Sequence, residues 1–182
     1  MARAVLRGEL TLPDDEVTSE MGDAVRAELY KGGYQRYEIS NYARPGFAAV
    51  HNSLYWRGGE YAAAGCGACG FIREGQGGVR YANDRSPEKY LARVDETGVG
   101  ESSRERVTRD EHLRERLFTG LRLASGLDLQ ALEADLDCDV RGRFQTQLDR
   151  LTREALGTYD GRTLRLNDRG LDLHSEVSLR FF

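Results

Sequence analysis

The stretch Thr158-Tyr159-Asp160-Gly161-Arg162-Thr163-Leu164-Arg165-Leu166 decides how the C-terminal half of this 182-residue chain is read. Asp-Gly between short runs of β-favouring residues is a strong two-residue hairpin signal, because tight hairpin turns need positive φ and these two residue types tolerate it. Outward from the hairpin the apolar spacing becomes helical. Val140, Phe144, Leu148 and Leu151 form a stripe that predicts a helix with one face on a core. Leu129, Leu132 and Leu136 predict a helix before it. Thr108-Arg109-Asp110-Glu111 is a capping box opening a third, with Leu113, Leu117, Phe118 and Leu121 apolar and Gly126 as its stop. Beyond the hairpin, Leu171, Val177 and Leu179 predict a last helix from about Asp168. Three helices, a hairpin and a closing helix make a winged-helix-like domain, placed over residues 99–182. That fold is frequent among DNA-binding proteins, but fold alone decides no function. The helix of Phe144 mixes Arg141, Arg143, Arg150 and Arg153 with Asp149 and Glu154, the composition of a solvated face.

The bulk numbers narrow the class. With 40% hydrophobic and 31% charged residues the chain can bury a core without disulfide or metal staples. Its 26 basic and 30 acidic residues give a net charge of −4, which argues against a nonspecific nucleic-acid binder. No apolar run reaches the roughly 18 residues needed to span a bilayer. The start, Met1-Ala2-Arg3-Ala4-Val5-Leu6-Arg7, lacks the apolar stretch and cleavage site of a secretory leader. Three cysteines, Cys66, Cys69 and Cys138, suit free thiols in a reducing compartment, so a cytoplasmic location is expected.

The N-terminal half, residues 1–98, is richer in Gly and Tyr. Pro13-Asp14-Asp15-Glu16 opens a helix carrying Val17, Met21, Ala24 and Leu29, which Gly32-Gly33 ends. Tyr34 to Asn41 alternates at period two and reads as one strand. Ser86-Pro87 is a helix start with serine as cap and proline at the first turn. The polar run Thr97-Gly98-Val99-Gly100-Glu101-Ser102-Ser103 reads as a linker between the halves. The fold class is therefore α+β.

Chemistry concentrates in one block. His51-Asn52-Ser53-Leu54-Tyr55-Trp56 sets an imidazole beside two large aromatic rings. A neutral imidazole is a common axial ligand of heme iron. The plainer reading is that His51 and Asn52 hydrogen-bond a turn while Tyr55 and Trp56 fill core. Gly65-Cys66-Gly67-Ala68-Cys69-Gly70 contains a C-x-x-C, a weak signal for a metal half-site or redox pair without a second pair. Its glycines fit close backbone approach better than phosphate binding, since no helix pattern follows them. Glu38 reads as a salt-bridge partner at a strand end, and His112 and His174 as surface or satisfied helix histidines without a role.

Together, Tyr37-Glu38-Ile39-Ser40-Asn41-Tyr42-Ala43-Arg44-Pro45-Gly46, the H-N-x-x-Y-W run from His51 and Gly65-Cys66-Gly67-Ala68 resemble the oxygen-independent coproporphyrinogen III oxidase-like radical SAM family. The intact H-N-x-x-Y-W favours its HemW-type heme-chaperone branch. Gly8 to Asp15, Gly120-Leu121-Arg122 and Ser125-Gly126-Leu127 extend the likeness over nearly the whole chain. The resemblance implies the end of a partial (β/α) barrel over residues 1–98 followed by the helical domain. It implies heme binding and transfer, with His51 as iron ligand, Asn52, Tyr55 and Trp56 around the heme, and Ser53, Leu54, Gly65, Gly67 and Cys69 near cofactor or substrate. It also implies a [4Fe-4S] cluster and S-adenosylmethionine in the full-length family. The family's C-x-x-x-C-x-x-C triplet has no counterpart among these cysteines, so this chain alone is not expected to hold the cluster or to be catalytic. The family usually has histidine where Cys69 stands. Heme or porphyrin, a separate cluster-bearing barrel half and a second copy joined through an exposed strand edge are the expected partners. The alternatives are an oxidase fragment that needs that separate chain, and a protein or DNA interaction module.

Overall fold

A computed structural model describes residues 2–182; Met1, part of the leader reading above, lies outside them. Its elements are α1 (Ala2–Leu6), α2 (Asp15–Lys31), β1 (Gln35–Glu38), β2 (Asn41–Ala43), α3 (Val50–Trp56), β3 (Cys69–Glu74), β4 (Gly77–Asn83), α4 (Pro87–Thr97) and β5 (Glu101–Val107). There follow α5 (Arg109–Gly120), β6 (Leu127–Asp128), α6 (Leu129–Leu136), α7 (Val140–Arg153), β7 (Gly157–Tyr159), β8 (Thr163–Leu166), α8 (Asp168–Asp172) and α9 (His174–Leu179).

Local signals place most helix starts. Asp14 caps α2 by accepting the Val17 N–H, Ser86 caps α4 ahead of Pro87, and Thr108 and Glu111 close both arms of the capping box on α5. The stripe of α7 is buried at all four positions, Val140, Phe144, Leu148 and Leu151. With Leu113, Leu117, Leu121, Leu132, Leu136, Leu164, Val177 and Phe181 they form the main core, which lies wholly within residues 113–181.

Long-range pairing moves other boundaries. Tyr34 to Asn41 is not one strand. The chain reverses at Ile39-Ser40 because Arg36 donates to the Ile39 carbonyl and the Glu38 carboxylate accepts the Ser40 N–H, so that β1 and β2 form an antiparallel hairpin. The expected linker is partly sheet, since Glu101–Val107 pairs with β4 to give the antiparallel order β3-β4-β5. Helix α5 stops at Gly120, six residues before Gly126, which has φ 82° and sits against β8. The freed segment turns back on β1: Glu38 bridges Leu123, and the Ala124 N–H donates to the Tyr37 carbonyl at 3.1 Å.

The C-terminal hairpin forms with Tyr159 opposite Leu164, so its turn centres on Gly161-Arg162, one residue later than the Asp-Gly pair implies. Asp160 accepts the Arg162 and Thr163 N–H groups, and Gly161 takes φ 91°. β6 adds to the hairpin in the order β6-β8-β7. The closing helix is two short ones, broken at Leu173. The fold is mixed helix and sheet, and every strand pair among the described residues is antiparallel.

Candidate functional site

Helix α3 carries the H-N-x-x-Y-W run, and one turn of helix divides it between two hollows. His51, Ser53 and Leu54 line a shallow outer hollow with Ala48, Val50 and Arg57. Tyr55 and Trp56 line an inner cavity of about 620 Å³ between α3, the β3-β4 sheet, α5 and the chain end at Phe182. Tyr61, Phe71 and Phe118 complete its aromatic wall; Arg80, His112, Glu115, Arg116 and Thr119 supply its polar atoms. Asn52 is half-buried on α3. Gly58 ends the helix with φ 65°, and a Cβ there would collide with the Arg116 side chain, so a glycine is needed for both reasons.

Aromatic rings connect the hollows. The exposed His51 ring meets Tyr55 edge-on at 4.6 Å, Tyr55 meets Tyr61 at 4.4 Å, Tyr61 lies 6.4 Å from Phe71, and Phe71 lies 5.2 Å from His112. The path runs from a surface histidine to a buried one.

Trp56 is anchored from behind. The Arg122 guanidinium lies over its ring, 4.2 Å from the centroid, and donates to Glu38 Oε2 at 2.9 Å. Glu38 is fully buried and also accepts from the Ser40 N–H and the Asn41 amide. Burial alone would raise its carboxyl, but the hydrogen bonds from Arg122, Asn41 and Ser40 hold it below the usual carboxylate range. The strand-end salt-bridge reading of Glu38 holds: it is the last residue of β1, and its carboxylate is buried. Three separate sequence blocks, around Glu38, His51–Trp56 and Gly120–Arg122, thus meet in one network.

His112 and His174 are buried rather than at the surface. His174 is satisfied, with Nε2 2.8 Å from the Phe118 carbonyl and 3.0 Å from Ser178 Oγ. His112 is only half satisfied. Its Nδ1 lies 3.0 Å from the Gln76 carbonyl, which can only accept, so Nδ1 carries the proton; Nε2 is buried without a partner. Burial, with Arg116 and Arg73 nearby, pushes its pKa below the usual histidine value although the Gln76 contact works the other way. Trp56 Nε1 and Arg116 Nε are likewise buried without acceptors. Around them Arg80 pairs with Glu105 and Glu115, and Arg73 and Arg116 converge on Asp135. Burial also raises the Tyr61 phenol, against the opposing pull of Arg80.

Gly65, Gly67 and Cys69 line neither hollow. Gly65 and Gly67 form a turn at positive φ, tied to the end of β4 by Asn83 Nδ2 to the Gly65 carbonyl and Gly67 N–H to the Asp84 carbonyl. The close approach read from this run belongs to Gly70, whose missing Cβ gives room to the Tyr81 ring. Cys66 and Cys69 are exposed free thiols. Among the described residues no group of three or more His, Cys, Asp or Glu side chains is placed to hold a metal ion, so an iron-sulfur cluster has no fitting donor set there.

A family model described as the HemN C-terminal domain matches residues 107–173. The chain is 31% identical over 176 residues to the heme chaperone HemW of Lactococcus lactis subsp. lactis, covering 96% of this chain and 45% of that protein. It is 30% identical over 171 residues to HemW of Bacillus subtilis, covering 94% and 44%. The chain belongs to the HemN- and HemW-like family and corresponds to its C-terminal portion. The family resemblance read from the central motifs therefore holds. This HemW-like chain spans about half the length of the curated relatives it matches. In fold it resembles the Escherichia coli coproporphyrinogen III oxidase HemN, a radical SAM enzyme, with a TM-score of 0.70 over 93% of this chain and 42% of that one at 20% identity.

Sequence reasoning found the α3 half of the site and missed the α5 half. His112, Glu115, Arg116 and Thr119 stand at i, i+3, i+4 and i+7, a single helical face. That spacing is the signal the sequence offers for them.

Proposed function

We propose that this chain is a heme-handling module, the C-terminal part of a HemW-like chaperone, and that α3 is its contact with the porphyrin. The observation that carries this reading is an exposed histidine, His51, in the outer hollow and edge-on to Tyr55, which itself lines the apolar aromatic cavity. His51 is the proposed iron ligand, Asn52, Ser53 and Leu54 border the bound macrocycle, and Tyr55 and Trp56 offer it stacking surface. Gly65 and Gly67, on their own turn, and Cys69, at the start of β3, stay with this reading as cofactor- or substrate-proximal residues only when the rest of a longer protein is present. The winged-helix-like description of residues 99–182 and the barrel-end description of residues 1–98 belong to the same reading, as does a cytoplasmic setting; no helix among the described residues is long and apolar enough to cross a membrane. A separate barrel half bearing cluster and S-adenosylmethionine, or a second copy joined through an exposed strand edge, belongs to the same reading as partner.

The test is a hemin titration of the purified chain followed by the Soret band, beside His51→Ala. Saturable binding with micromolar affinity, about −8 kcal/mol, is expected, weakened in the variant. A variant that titrates identically removes His51 as a ligand.

A further inference from the structure

We propose that Arg57 is the carboxylate-binding residue of the outer hollow, so that the ligand held at His51 is a macrocycle with free carboxylates, oriented by one of them; this deepens the heme-handling reading and rests on it. His51, Leu54 and Arg57 stand at i, i+3 and i+6 along α3 and its C-cap, and all three line the outer hollow. The helix therefore presents a base, an apolar strip and a cation in that order. At 1.5 Å of rise per residue the base and the cation lie about 9 Å apart along the axis, close to the reach from the centre of a porphyrin to the end of a propionate side chain. The hollow, about 600 Å³, is otherwise walled by Ala48, Val50 and Ser53.

Arg57 is the cation beside α3 that the chain itself leaves unpaired. Arg80 and Arg116, on the inner cavity, are held by carboxylates, Arg80 by Glu105 and Glu115 and Arg116 by Asp135. Arg57 is exposed, and among the described residues its side chain has neither an ion pair nor a hydrogen bond. Glu60, the nearest carboxylate in sequence, accepts the Arg73 N–H. Nor does the end of α3 need this side chain, because backbone groups close it: the Arg57 N–H donates to the Ser53 carbonyl and the Gly58 N–H to the Tyr55 carbonyl. A free guanidinium at the end of an apolar strip complements a flat ligand with a carboxylate on its edge. It pairs bidentately with the carboxylate and gains nothing comparable from an uncharged ester.

The experiment titrates hemin and hemin dimethyl ester, in the same dilute detergent, against the full chain, Arg57→Gln, Arg57→Lys and His51→Ala, following the Soret band and checking each fold by thermal melting. The proposal expects Arg57→Gln to weaken hemin about five- to tenfold and Arg57→Lys to recover part of that loss, while both bind the ester as the unaltered chain does. The Soret maximum of bound hemin stays in place in the Arg57 variants and moves in His51→Ala, which separates the carboxylate contact from the iron ligand. Hemin affinity unchanged in Arg57→Gln, or hemin and its ester weakened alike, overturns the carboxylate role and leaves His51 standing. Failure of the unaltered chain to bind hemin overturns both readings.

Discussion

Arg122 lies outside any helix or strand, yet it holds Glu38 with one nitrogen and covers Trp56 with its plane. Removing one member of a buried ion pair leaves an uncompensated charge, so Arg122→Ala should destabilise the chain by about 3–5 kcal/mol in urea unfolding. Because Trp56 is the single tryptophan, the same variant should shift the emission maximum to the red; unchanged emission would mean that the stacking is not maintained in solution. The buried histidines set a pH dependence. His112 and His174 both have pKa values lowered below 6.5, chiefly by burial. The unfolded chain therefore takes up protons that the folded one refuses, and stability falls as pH drops below about 6.5, by up to about 1.4 kcal/mol per pH unit for each group until its folded value is passed. His112→Phe should flatten that slope. Burial was the part not legible at this scale: His112 sits in a polar helical face, and only the approach of β3, β4 and α3 makes that face interior.

At the scale of elements, what a few neighbouring residues decide was legible and what distant segments decide was not. The caps at Asp14, Ser86 and Thr108 and the α7 stripe all stand where the local pattern puts them. The single strand over Tyr34–Asn41 fails through a local reversal held by Arg36, Glu38 and Ser40, whereas the stop at Gly126 and the linker at Glu101–Ser103 fail because contacts remote in sequence reset them: Arg122–Ala124 on β1, and β4 on β5. The α5 cap offers a test, since this helix supplies one wall of the cavity. Thr108→Ala should cost about 1 kcal/mol, read as a lower urea midpoint with an unchanged slope. An unchanged midpoint would show that tertiary packing alone fixes the start of α5.

For the whole molecule, the apolar core is concentrated behind α5, whereas α2 has no buried residue. Hydrogen exchange should therefore be slowest in α5, α6 and α7 and fast along α2. Val17, Met21 and Val25 stand one helical turn apart and exposed, an apolar stripe that favours association. Light scattering should report self-association that Met21→Glu reverses; a monomer at all concentrations would leave this face without a partner of its own kind. The membership of the chain in its family was legible because the motifs from Tyr37 to Trp56 are contiguous, while the cavity is assembled from four segments spread between Tyr55 and Phe182.

The most direct test of a porphyrin site around α3 is hemin quenching of Trp56 fluorescence, because the lone tryptophan borders the cavity. Saturable quenching at micromolar hemin, relieved by Arg122→Ala, is the predicted result; linear, non-saturating quenching would contradict the account.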